Sequence, residues 1–467
     1  MELRKSSNSK PGESVGSDQP SSVIRILLVV CLVVMPIHAL WDLPLVGKKF
    51  QPPEIVFLLL FFVAVPYILR NRQRLWFSPV DIGVLVWLGV NIFSGLLSGL
   101  SVPIAFELIG TLYLTLLYFT IRLTVSEQWL KKFPDFMALT ATIAALLGIT
   151  GWCLKAAGIQ TVLVDFQTLN GMPHNVYPIL GNIVGRAKAL TAGNNLLAHI
   201  LMVGIFIKVA DCWHKKEFSR INLLSLGIML IGFLLTFSKA GIILLIGLVL
   251  VWYFSTGQGV KLYGRILTWV VVFVLFLLYN LITFFHPVRN NDPNIKALTG
   301  IFYARDTPIA TVGSFDIMLT KYWIHNRVSL MAFEESFLLG IGPGEYRFFF
   351  QRLGMEGLVV FRPGEKASQA RPHSTYLGAL AQLGVPGVLA ILLLWGLLGY
   401  GCYQIFQVKE FRGMAIGFSV SFFSTAISAT AIDIMNFRHL WWLIAIFAVL
   451  WHSVRLQRTQ YPLGIDQ

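Results

Sequence analysis

Residues 368–400, SQARPHSTYLGALAQLGVPGVLAILLLWGLLGY, join two different solvents within one stretch. The opening is polar and holds Arg371, Pro372 and His373. From about Ser374 onward no charged side chain occurs before Tyr400. That uncharged run exceeds the about 20 residues a helix needs to cross the hydrocarbon core of a bilayer. In lipid, every backbone N–H and C=O must be satisfied internally, which a helix achieves within one segment. The stretch therefore reads as a membrane helix with a basic, histidine-bearing mouth.

The rest of the chain repeats this pattern. Of its 467 residues 56% are apolar and only 13% charged. Apolar segments at 23–41, 54–70, 80–98, 103–121, 134–154, 194–212, 221–237, 240–256, 265–284, 374–403, 412–431 and 438–454 predict an all-α polytopic membrane protein with about twelve transmembrane helices. Residues 1–22 are polar and Ser-rich and read as a disordered tail. The first apolar segment lacks a small-residue cleavage site near Ala39, so it reads as a retained helix.

Lys and Arg set the orientation. With the N-terminus in the cytoplasm, the short inner loops collect Arg70, Arg72, Arg74, Lys131, Lys132, Lys215, Lys216 and Arg220, while the short outer loops hold fewer basic residues. Both termini, including a tail at 456–467, are then cytoplasmic. Two outer segments exceed the length of a simple connection: 155–193, within the nine helices of 23–284, and 285–373, ahead of the last three helices at 374–455. Topology explains most of the net charge of +14, and no nucleic-acid-binding motif accompanies it. The four cysteines, Cys31, Cys153, Cys212 and Cys402, show no metal spacing and none lies in the long outer loop.

Chemistry is expected in the outer segments. Residues 322–335, YWIHNRVSLMAFEE, predict an amphipathic helix; Gly340, Gly342 and Gly344 predict a tight turn in preference to a phosphate loop, because no strand precedes them. Arg186 and Lys239 sit close to helix ends, where a cation either snorkels to the interface or serves a site. Lys239 lies in too short a link to travel far from the bundle. Asn194 and Asn195 read as cap or packing amides, and Asp433 with Arg438 as a local ion pair. Among the outer histidines, His174, His286 and His325 read as solvated loop residues. His373 stands apart, because Pro372 fixes the backbone before it and a helix begins just after it.

The ordered segments GRAKALTAGNN, LLTFSKAG, NRVSLMAFEESFLLGIGPGEY and RPHSTYLGALAQLGVPG, spanning roughly 180–400, resemble the O-antigen ligase and polymerase superfamily of bacterial inner membranes. Two positions depart from the family pattern: Lys239 stands where Arg is commoner, and Ser374 where Asn is commoner. The resemblance implies a multi-pass inner-membrane glycosyltransferase with a periplasmic site and one large periplasmic loop carrying short helices. Its donor would be a glycan on undecaprenyl diphosphate, and its acceptor the lipid A core in a ligase or another lipid-linked glycan in a polymerase. On this basis His373 is the expected catalytic base. Arg186, Lys239 and Arg327 are the expected diphosphate ligands, and Arg371, Tyr376 and Asn194 further substrate contacts.

The residues agree in kind. A diphosphate leaving group needs cations, and three separate segments supply them. The outer loops hold no Asp-x-Asp or Glu-x-Asp pair, so no cofactor and no metal is expected; Glu334 and Glu335 read as a solvated helix face. A transporter or flippase would show paired halves, and no internal repeat is evident. A scaffold protein would not need converging cations. The ligase reading is preferred over the polymerase.

Overall fold

The computed structural model describes residues 20–38, 51–71, 76–159, 161–165, 167–169, 172–174, 177–179, 182–256, 262–285, 310–312, 315–319, 322–353 and 371–460. His286 and the greater part of the long segment 285–373 lie outside them.

The chain opens with five helices: α1 (Ser22–Val34), α2 (Pro52–Arg70), α3 (Pro79–Leu97), α4 (Val102–Thr124) and α5 (Glu127–Ala156). Their starts are written locally. Ser78 and Asp81 form a capping box with Pro79 between them, and Gln51 with Glu54 does the same for α2, so N–H groups without an intrahelical partner are satisfied at both starts. After α5 come β1 (Val164–Asp165), two small hairpins and β6 (Arg186–Ala187); β1 and β6 pair antiparallel, with Val164 opposite Ala187. Then follow α6 (Asn194–Lys215), α7 (Arg220–Leu234), α8 (Ala240–Thr256) and α9 (Leu262–Leu281). Beyond a small three-stranded sheet, α10 (Tyr322–Glu335) and α11 (Tyr346–Arg352) precede α12 (Thr375–Phe406), α13 (Arg412–Ser428) and α14 (Arg438–Gln460).

Every apolar segment predicted from the sequence overlaps a helix, the first of them only as far as Val34, and residues 39–41 of that segment lie outside the described ones. Among the described residues, seven are long and apolar enough to cross a membrane: α2 to α6, α12 and α14. The apolar helices α1, α7, α8 and α9 are shorter over their described residues. Exposure follows the same logic. Phe62, Ile109, Ile221 and Leu267 face outward, whereas α6 is buried on nearly all sides and forms the centre of the bundle.

The helix predicted at 374–403 is broken. Gly384 within α12 has φ 65° and ψ −159°, and Pro386 follows two residues later. Proline lacks the N–H that would bond the carbonyl of Gln382. That carbonyl is satisfied from outside: Gly342 N–H donates to Gln382 O at 3.0 Å, Ile341 N–H to Ala381 O at 2.9 Å, and Ser94 Oγ to Gln382 O at 3.1 Å. The turn carrying Gly340 thus docks into the break, and a Cβ on Gly340 would meet the Gln382 backbone carbon at 2.2 Å. The glycine turn is a packing device, as the sequence indicated. The GVPG signature of the break, 384–387, lies in the same stretch as the opening segment.

One expected contact is replaced by another. Arg438 pairs with Glu54 of α2 and donates to Ile37 O at 3.2 Å, while Asp433 accepts from the Met435 N–H. Arg438 begins α14 deep among the helices, so its partner comes from across the bundle and not from its own loop.

Candidate active site

The turn between α7 and α8 is the first wall of the site. Phe237 there has φ 44°, a left-handed conformation that costs a non-glycine residue energy and is held by its surroundings. The surroundings are specific. Asn194 Nδ2 donates to Thr236 O at 3.2 Å, Ser238 Oγ to Asn195 Oδ1 at 2.9 Å, and Ala187 N–H to Leu235 O at 2.9 Å. These bonds gather the start of α6, the α7–α8 turn and β6, so Asn194, Lys239 and Arg186 come to one region. Asn194 acts here as a packing amide. Lys239 Nζ donates to Tyr279 O at 3.1 Å and stands 4.7 Å from the centre of the Tyr279 ring.

The second wall is α10. His325 meets His373 edge to face, with ring centroids 4.3 Å apart, and stacks on Phe350 at 5.8 Å. Its backbone carbonyl accepts from the Tyr346 hydroxyl at 2.9 Å. His325 Nδ1 is buried with no hydrogen-bond partner among the described residues. This histidine had read as a solvated loop residue. Helical phase carried the missed signal: at about 100° per residue, His325 shares a face with Val328, Ser329 and Ala332, all buried. The same geometry turns Arg327 about 200° away from His325, and Arg327 is exposed. The structure therefore brings His325, and not Arg327, against His373.

The third wall is the mouth of α12. Ser374 is the N-cap, its Oγ accepting from Leu377 N–H at 3.3 Å, so Ser serves the capping role that Asn would serve. His373 precedes that cap on the turn behind Pro372. Arg371 beside them is exposed. The Tyr376 hydroxyl donates to Ala426 O of α13 at 3.0 Å, which ties the mouth of α12 to α13.

Burial governs the electrostatics. It depresses His373 to about 3, with the neighbouring His325 and Lys239 charges pushing the same way. His325 falls to about 4 and Lys239 to about 8, both through burial. At neutral pH the cluster thus presents two uncharged imidazoles and a mostly protonated ammonium. A neutral imidazole accepts a proton, and a half-buried ammonium attracts an anion strongly because little water screens it.

An ammonium and two imidazoles thus meet at the mouth of α12, one of the helices long and apolar enough to cross a membrane. Residues 224–392 match the family model described as O-antigen ligase, which supports membership of that family. The matched region holds Lys239, His325, Arg327, His373 and Tyr376, and leaves Arg186 and Asn194 outside it. No curated protein matches the chain.

Proposed function

We propose that the protein transfers a glycan from undecaprenyl diphosphate to an acceptor sugar at the periplasmic face of the bacterial inner membrane, as an O-antigen ligase acting on the lipid A core. The observation that carries this reading is the convergence of Lys239, His325 and His373. An acceptor hydroxyl attacks the anomeric carbon as the bond from that carbon to the diphosphate oxygen breaks. His373 takes the hydroxyl proton and returns it to solvent, and the electron pair leaves with the diphosphate. Lys239, with Arg186 approaching from β6, stabilises the charge that develops there. In this scheme the ammonium does the work often given to a divalent cation. Single displacement of this kind inverts the anomeric configuration.

The diphosphate also tunes the base. An anion beside His373 opposes the effects that depress it, so donor binding returns the imidazole toward its ordinary range and makes it a better proton acceptor. The test is to incubate purified protein with lipid-linked glycan and an acceptor lipid bearing the core sugars. Transferred glycan and free undecaprenyl diphosphate in equal amounts are expected. Intact donor moved across a vesicle membrane without any transfer would establish a transporter instead.

A further inference from the structure

A cavity borders the 372–375 turn. It encloses about 60 Å³ and is lined by Trp87, Asn91, Glu107, Gln382 and Asp433, along with Pro372 and Thr375. Pro372 and Thr375 flank His373 in the chain, so one turn borders both the cationic cluster and this cavity. The two sides differ in sign. The cavity carries the carboxylates of Glu107 from α4 and Asp433 from the α13–α14 link, and burial together with Glu107 raises Asp433 to about 6. The exposed Arg371 acts on Asp433 in the opposite sense. Each amide of the lining spends one of its two N–H donors locally: Asn91 Nδ2 donates to Trp87 O at 2.8 Å, Gln382 Nε2 to Gly378 O at 3.4 Å and Asn436 Nδ2 to Asp433 Oδ2 at 3.4 Å.

We propose that this cavity is the acceptor subsite and that it takes an uncharged or amine-bearing sugar ring, not a phosphorylated one. The lining is rich in hydrogen-bond acceptors, the complement of a ring whose hydroxyls donate. A carboxylate receives two neighbouring hydroxyls at once, and each such bond to a charged acceptor is stronger than a neutral one. Trp87 adds an apolar face suited to the C–H face of a sugar. A phosphate would face two carboxylates, which is strongly unfavourable in a part-buried site. The placement supplies the geometry of a two-substrate transfer: the anionic donor on the Lys239 side, the acceptor hydroxyl on the Glu107 side, and His373 on the turn between them. The assignment rests on the glycosyltransferase reading above.

Two measurements on the purified full chain in detergent test it. In saturation-transfer NMR, methyl α-D-glucoside and methyl glucosaminide are expected to bind, glucose 6-phosphate to bind weakly or not at all, and Glu107→Gln to abolish the glucoside signal. In the transfer assay, Glu107→Gln is expected to raise the acceptor KM by about tenfold or more while leaving the donor KM unchanged. Equal binding of glucose 6-phosphate, or an effect of Glu107→Gln on donor KM instead of acceptor KM, overturns the subsite. If glucoside binds and Glu107→Gln removes it, yet wild-type protein transfers nothing, the subsite stands and the transfer reading falls. If transfer proceeds and Glu107→Gln leaves acceptor KM unchanged, the transfer reading stands and the subsite falls. Asn91→Leu, an independent variant on α3, is expected to raise acceptor KM in the same direction, and an unchanged acceptor KM there counts against the subsite.

Discussion

His325 and His373 meet edge to face with ring centroids 4.3 Å apart, joining a helix of the long loop to the mouth of a membrane helix. The contact holds the His373 ring in place and helps to keep it uncharged. His325→Phe preserves the ring packing and the stack on Phe350, and is expected to retain activity to within about tenfold, while His325→Ala loses about 10- to 100-fold. Because the His325 charge depresses His373, both variants should also shift the acid limb of kcat/KM upward. An unshifted limb with unchanged rate in His325→Ala would remove His325 from the site.

Lys239 makes a prediction at the other end of the pH scale. Its ammonium is protonated and able to hold the diphosphate below its pKa of about 8, and it loses that charge as pH rises through this value. The rate constant kcat/KM should therefore fall above about pH 8 in the wild type. Lys239→Arg keeps its charge past about pH 12, so that limb should vanish while much of the activity survives. Lys239→Ala should lose about 2–4 kcal/mol of transition-state stabilisation, about 30- to 1000-fold in rate. A wild-type alkaline limb that persists in Lys239→Arg would assign it to another group.

The break in α12 depends on two left-handed glycines, Gly340 at φ 69° and Gly384 at φ 65°, each packed against the backbone of the other's segment. A Cβ on Gly384 would meet Leu338 O at 2.3 Å. Gly340→Ala and Gly384→Ala should each destabilise the protein by about 2 kcal/mol or more, read as a lower thermal midpoint in detergent. Gly396→Ala, at a position with nothing near its Cβ, should leave the midpoint unchanged or slightly raised. Equal midpoints for all three would show that the docked turn does not hold the break.

Orientation is tested by reporter fusions. Fusions after Lys132 and Lys216 should read cytoplasmic, and fusions within 290–370 should read periplasmic, because the short-loop bias of Lys and Arg favours that direction. A cytoplasmic reading for 290–370 would put the cationic cluster on the wrong side for the proposed transfer.

The helices were legible because an uninterrupted apolar run of bilayer length fits poorly into a water-soluble core, and each predicted segment overlaps one. Lys239 and His373 were legible because local features marked them: a link too short to let the cation escape, and a proline before a helix start. What escaped was long-range. His325 becomes significant only when α10 packs on the mouth of α12, Glu54 meets Arg438 from the far end of the chain, and Glu107 and Asp433 share a cavity that no local pattern signals. A cation preceding a glycine turn reads the same on either face of a helix, and only the phase set by Val328 and Ala332 shows that Arg327 turns outward.

The most direct test of the account is single-turnover transfer by His373→Ala, measured alongside binding of the lipid-linked donor. If His373 takes the acceptor proton, the variant should bind donor as the wild type does and transfer glycan about 100-fold more slowly or worse. Transfer at a near wild-type rate, or loss of donor binding in place of turnover, would contradict it.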